Sequence, residues 1–111
     1  MRTLTVLILA VVLISCTTQA EIKTYQVWRN VVDGSLVTII DAGRAEDVAA
    51  RHEDNLWVQE QTEQYAGRRV VWFAYRSRPG YFQNLMYPVV DFLTFYKLTN
   101  LKELPPWKGK R

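Results

Sequence analysis

The chain has 111 residues, 14 Lys and Arg against 11 Asp and Glu, a net charge of +3 at pH 7, 49% hydrophobic and 13% aromatic residues, and one cysteine. That length holds a single domain with one modest core, and that apolar content excludes a disordered chain. One thiol excludes an internal disulfide and zinc sites built from several cysteines.

Residues 1–15 read MRTLTVLILAVVLIS. Arg2 supplies a short positive start, and Leu4 to Ile14 form an apolar run broken only by Thr5. A run of that length matches the hydrophobic region of a secretory signal peptide, and it is shorter than the roughly 20 residues a membrane-spanning helix needs. It ends in Leu13-Ile14-Ser15-Cys16, which places the sole thiol directly after the apolar segment. This tetrapeptide resembles the lipobox of bacterial lipoproteins, a resemblance that covers the first 16 residues. It implies cleavage between Ser15 and Cys16, acylation of Cys16 on sulfur and nitrogen, and a membrane anchor of two or three chains. Thr17 stands where Asp would imply retention in an inner membrane, so the resemblance implies an outer membrane, on its periplasmic side. Thr18-Gln19-Ala20 is a competing small-x-small site, and a cut after Ala20 would release a soluble secreted protein. A buried N-terminal helix of a cytosolic protein is the third reading.

After a short anchor segment and tether (16–23), a single small α+β domain is expected over 24–104, followed by a basic tail, 105–111. Residues 23–41 read as a hairpin, with Asp33-Gly34 supplying the turn. Ala45, Val48, Ala49 and His52 have helical spacing, and Glu46 and Asp47 suit a first turn, so a short helix is expected near 44–53. Residues 54–66 fit either an extension of that helix or a strand near 56–65 that turns at Ala66-Gly67. The break at Asp54-Asn55 favours the strand. Val70 to Tyr75 is a continuous apolar run, expected as a central strand near 69–76 buried on both faces. Ser77 to Gly80 reads as a turn. Phe82, Leu85, Met86, Val89, Leu93 and Tyr96 share one face of a helix, which predicts an apolar helix near 82–100.

Charge divides along the chain. Residues 21–67 carry nine acids and four bases, while residues 68–111 carry nine bases and two acids. The plain expectation is that both signs mix on the folded surface. The functional expectation is a basic face that meets an anionic membrane or an acidic partner. An exported protein seldom meets nucleic acid, so no nucleic-acid role is expected.

His52 is the single histidine, and Ser35 and Ser77 are the only serines outside the leader. Neither serine lies in a Gly-x-Ser-x-Gly elbow, and His-Glu-Asp-Asn at 52–55 is not a metal motif. His52 is therefore expected as a surface helix residue, and the chain as a non-catalytic protein without cofactor or metal. Most aromatic side chains must form the core of so small a domain. An apolar helix at 82–100 would nevertheless bury only one side on a small sheet, leaving the other for a partner, a second copy or lipid. Phe82, Phe92, Phe95 and Tyr96 on that helix, Trp107 in the tail, and Arg68, Arg69, Arg76 and Arg78 are the expected contact residues. Gly109-Lys110-Arg111 also resembles an amidation signal of secretory precursors, with Arg68-Arg69 as a second processing site. The expected role is a lipid-anchored accessory or interaction protein of the cell envelope. A soluble secreted protein or processed precursor is the first alternative and a small envelope enzyme the second.

Overall fold

The computed structural model describes residues 22–107. The expected leader, the expected anchor residue Cys16 and the last four residues lie outside that range. Among the described residues, five strands form one antiparallel sheet in the order β4-β3-β2-β1-β5, with three helices on its two faces. The α+β class expected from the sequence is therefore the observed one.

β1 (Val27–Asn30) and β2 (Leu36–Arg44) form the expected hairpin. The Asn30 carboxamide accepts from the Val32 and Asp33 amides, and the Asp33 carboxylate accepts from the Ser35 amide, so two side chains shape the loop. β2 runs three residues beyond the expected hairpin, through a bulge between Ile39 and Asp41. Helix α1 (Ala45–Arg51) follows directly, close to the predicted 44–53.

The first departure comes at 54–66. The segment is a helix, α2 (Leu56–Gln64), and not the strand favoured above. Asn55, read as a breaker, is an N-cap whose side chain accepts from the Val58 amide at 3.1 Å. Val58 and Thr62, four residues apart, turn one face inward. The Gln59 carboxamide donates to the Ala49 and His52 carbonyls and ties α2 to the end of α1.

The apolar run forms β3 (Arg69–Arg78), an inner strand second from the sheet edge and buried from Val70 to Ala74, with β2 at the centre. Val71 and Phe73 pack on one face of the sheet, and Val70 and Trp72 on the other. The second departure follows. Residues 81–88 form strand β4 (Tyr81–Pro88), and helix α3 is confined to Val89–Phe95 before β5 (Tyr96–Leu98). The predicted apolar helix at 82–100 does not form as one element. Gly80, at φ +77°, closes a tight turn that sends the chain back along β3 in register from Arg78↔Tyr81 to Val70↔Pro88. Pro88 ends the strand and sets the extended N-cap of α3. The helical periodicity of 82–96 arises from two shorter patterns joined at that proline.

The connection through α3 crosses from β4 at one sheet edge to β5 at the other. Its Phe92 fills the centre of a core with Trp28, Val37, Ile39, Phe73 and Tyr96. Helices α1 and α2 cover the opposite face through Ala45, Val48 and Val58 on Val70, Trp72 and Met86. Ile22, within the expected tether, packs against the first core.

Candidate functional site

The strand register places the two ends of the sheet opposite each other. Asn30, Leu36, Arg78 and Tyr81 lie at one end, and Arg44, Arg69 and Pro88 at the other, while Val27, opposite Thr38 and so level with Ala74, lies midway. β3 has ten residues, so its ends are about 30 Å apart. The expected contact set divides along this line. Arg76, Arg78 and Phe82 sit at the hairpin end, whereas Arg68 and Arg69 lie at the end where β2 runs into α1. They do not form one patch.

At the hairpin end the side chains pair across the strands. The Arg76 guanidinium lies over the Phe82 ring at 5.6 Å, and that of Arg78 over the Tyr81 ring at 4.2 Å. Arginine stacked on an aromatic face keeps its edge N–H groups free for anions. Tyr81 and Phe82 stay 57% and 51% exposed despite this cover. Tyr75 donates its hydroxyl to Gln83 Oε1 at 2.7 Å, and Trp72 donates Nε1–H to Asn84 Oδ1 at 3.1 Å, fixing the strand pair that carries the arginines. Trp57 of α2 joins Arg78, Tyr81, Phe82 and Asn84 around a shallow concavity. The tail folds back to this end: Arg76 donates to the Pro105 carbonyl at 2.9 Å, and Trp107 lies with Leu36, Tyr75 and Arg76 around a second hollow.

Two expected contact residues are corrected. Phe92 is fully buried and Tyr96 nearly so. They stack on each other at 4.7 Å, and both contact Phe73 edge-on or tilted at 5.1 Å. They hold the core. Phe95, at the end of α3, is exposed. Tyr81, Trp57 and Asn84 were missed as site residues. The Ser77-Arg-Pro-Gly-Tyr81 turn held the signal, because a tight turn there sets Arg78 opposite Tyr81.

A second constellation lies where β2 meets α1. Asp41, 7% exposed, accepts from Arg51 Nε at 2.9 Å and Arg51 Nη2 at 3.0 Å, a two-pronged pair. It also accepts from His52 Nε2 at 2.8 Å and from the Ala42 amide at 2.8 Å. Burial pushes the Asp41 carboxyl up, but the hydrogen bonds from Arg51, His52 and Ala42 outweigh it and hold the group below its ordinary value. Gly43 has φ +143°, a backbone conformation that L side chains rarely adopt, and this is why glycine stands there. His52 also sets its ring edge-on to Trp72 at 4.9 Å. His52 is thus a half-buried fastening, not the free surface residue expected.

An Asp–His pair orients a base in hydrolases, but such a site also needs a nucleophile on the imidazole. Among the described residues no hydroxyl or thiol is hydrogen-bonded to His52, and Arg51 occupies the same carboxylate. No cluster of three metal-ligating side chains forms among the described residues, and no helix among them is long and apolar enough to cross a membrane. No protein-family model, curated protein or solved structure matches the chain.

Proposed function

We propose that the chain is an exported lipoprotein of the bacterial cell envelope, anchored through acylated Cys16 and acting as an accessory or interaction protein. One observation carries the reading: the sole thiol stands immediately after an apolar run of signal-peptide length. Acyl chains on Cys16 hold the protein at a bilayer, and two or three of them are needed for stable residence. The six peptide steps from Cys16 to Ile22 reach at most about 20 Å, so the domain rides close to the lipid surface. Thr17 in place of Asp favours the outer membrane, periplasmic side. The basic and aromatic hairpin end of the sheet is the candidate contact surface. Its stacked arginines support a role in contact, and the Asp41 cluster is occupied in fastening α1 to the sheet.

Metabolic labelling with palmitate and the intact mass of the mature protein test the anchor. The expected result is a labelled, membrane-bound protein beginning at Cys16, and loss of both label and membrane residence in Cys16→Ala. An unlabelled protein in the aqueous fraction that begins at Glu21 would replace this reading with that of a soluble secreted protein.

A further inference from the structure

β4 lies at the edge of the sheet. β3 pairs along its inner side from Tyr81 to Pro88, and among the described residues nothing pairs along its outer side. The opposite edge, β5, has only three residues. Long edge strands are ordinarily blunted by a charge, a bulge or a cover, because their free N–H and C=O groups template another strand. β4 reads YFQNLMYP, without one charged side chain, and its first four residues are exposed.

Arginines bracket this uncharged lane. Arg78 lies opposite Tyr81 at one end. At the other, Arg68 and Arg69 line a small concavity with Pro88 and Val90. Eight residues of strand span about 25 Å between them. A second copy fits the lane poorly. Arg69 and Arg78 stand on β3, so in a β4–β4 pair the arginines of the two copies lie three strands apart, about 14 Å. A second β4 carries no acid, so it brings basic groups toward basic groups with no opposite charge to meet them.

We propose that the outer edge of β4 docks an extended segment of an acidic partner protein. The segment adds as a further strand, its main chain hydrogen-bonded to β4 and its carboxylates meeting Arg69 at one end and Arg78 at the other. The uncharged middle of β4 takes an uncharged, alternating stretch of the partner. This inference rests on the protein's reading as an interaction protein but not on its lipid anchor.

The test titrates the full-length protein in detergent with three labelled peptides of about ten residues, the usual length of an added strand. They share an alternating Val-Thr centre and end in paired Glu, paired Ser or paired Lys. The Glu-ended peptide should bind about tenfold more tightly than the Ser-ended one, with the advantage shrinking at high salt, and the Lys-ended peptide should bind most weakly. Amide hydrogen exchange across 81–87 should slow in the complex. Arg69→Glu with Arg78→Glu should reverse the order. If that double variant loses its native circular dichroism, Arg69→Gln with Arg78→Gln takes its place and should abolish the preference. Equal affinities, no binding, or binding that leaves β4 exchange unchanged would overturn the proposal. So would a β4-mediated dimer of the free protein that the Glu-ended peptide cannot dissociate. Failure of palmitate labelling leaves these titrations fully informative, so loss of the anchor and loss of the docking lane are told apart.

Discussion

Asp41 Oδ2 accepts a hydrogen bond from His52 Nε2 at 2.8 Å, joining the bulge of β2 to the residue that ends α1. An ionised carboxylate only accepts, so the shared proton sits on Nε2. With the two-pronged bond from Arg51, this contact closes the segment from Asp41 to His52 and brings His52 edge-on to Trp72 in the layer beneath the helices.

Replacing Asp41 with Asn should be costly out of proportion to the change in shape. Asn offers one acceptor oxygen where the carboxylate serves Arg51, His52 and the Ala42 amide. Losing the charge weakens each of those bonds and leaves two partly buried donors poorly matched, an effect of about 1–3 kcal/mol. Urea unfolding of Asp41→Asn should show a lower midpoint with an unchanged slope. A midpoint equal to that of the parent would mean that the cluster contributes nothing to folding.

The acid limb of stability follows from the same carboxylate. Asp41 is held below its ordinary value in the folded chain. Asp33 is lowered as well, by hydrogen bonds from the Ser35 amide and hydroxyl, and Glu46 by its own amide and that of Gly67. A group lowered on folding stabilises the fold fully above its unfolded value, about 3.9 for Asp and 4.3 for Glu, and loses that contribution as pH falls through the folded value. Thermal midpoints should therefore hold steady against these groups down to about pH 5 and drop below about pH 4. The gap between the parent and Asp41→Asn should narrow at the acid end, because protonated Asp41 resembles Asn. A gap of the same size at pH 3 and pH 7 would remove Asp41 from this account.

Much of this architecture was legible in the sequence because local and tertiary preferences agreed. Asp33-Gly34 between β-rich runs, the acids opening α1 and the apolar run at 70–75 each pointed to what formed. At 56–64 the signals conflicted. Asn55 was read as a breaker, although the same short polar side chain that interrupts one helix caps the next. At 82–96 the aromatic and apolar residues satisfied a 3.6-residue period by coincidence. The deciding interaction, pairing with β3 through the turn at Gly80, is non-local and leaves no mark in the periodicity. The hairpin-end site was visible as composition but not as a place, because Arg76 and Arg78 find Phe82 and Tyr81 only through that strand register. The Asp41–His52 contact left no recognisable spacing, since it depends on the β2 bulge.

The division between core and surface aromatics can be measured with two truncations. Phe92 is fully enclosed, stacked on Tyr96 at 4.7 Å and set against the Trp28 ring at 5.0 Å. Removing its ring leaves a void beside the α3 crossing, and such truncations typically cost about 3–5 kcal/mol. In a domain of ordinary stability, about 5–15 kcal/mol, that would leave Phe92→Ala close to unfolding on mild heating. Phe82 stands half exposed on β4 with one guanidinium over its face. Phe82→Ala should stay within about 0.5 kcal/mol of the parent, as surface changes usually do. The same substitution removes an exposed side chain from the β4 docking edge, so its effect should appear in peptide affinity and not in the unfolding midpoint. Calorimetry of the two variants separates the roles. If Phe82→Ala lowered the melting temperature as far as Phe92→Ala, the hairpin end would belong to the core and could not serve as an open contact surface.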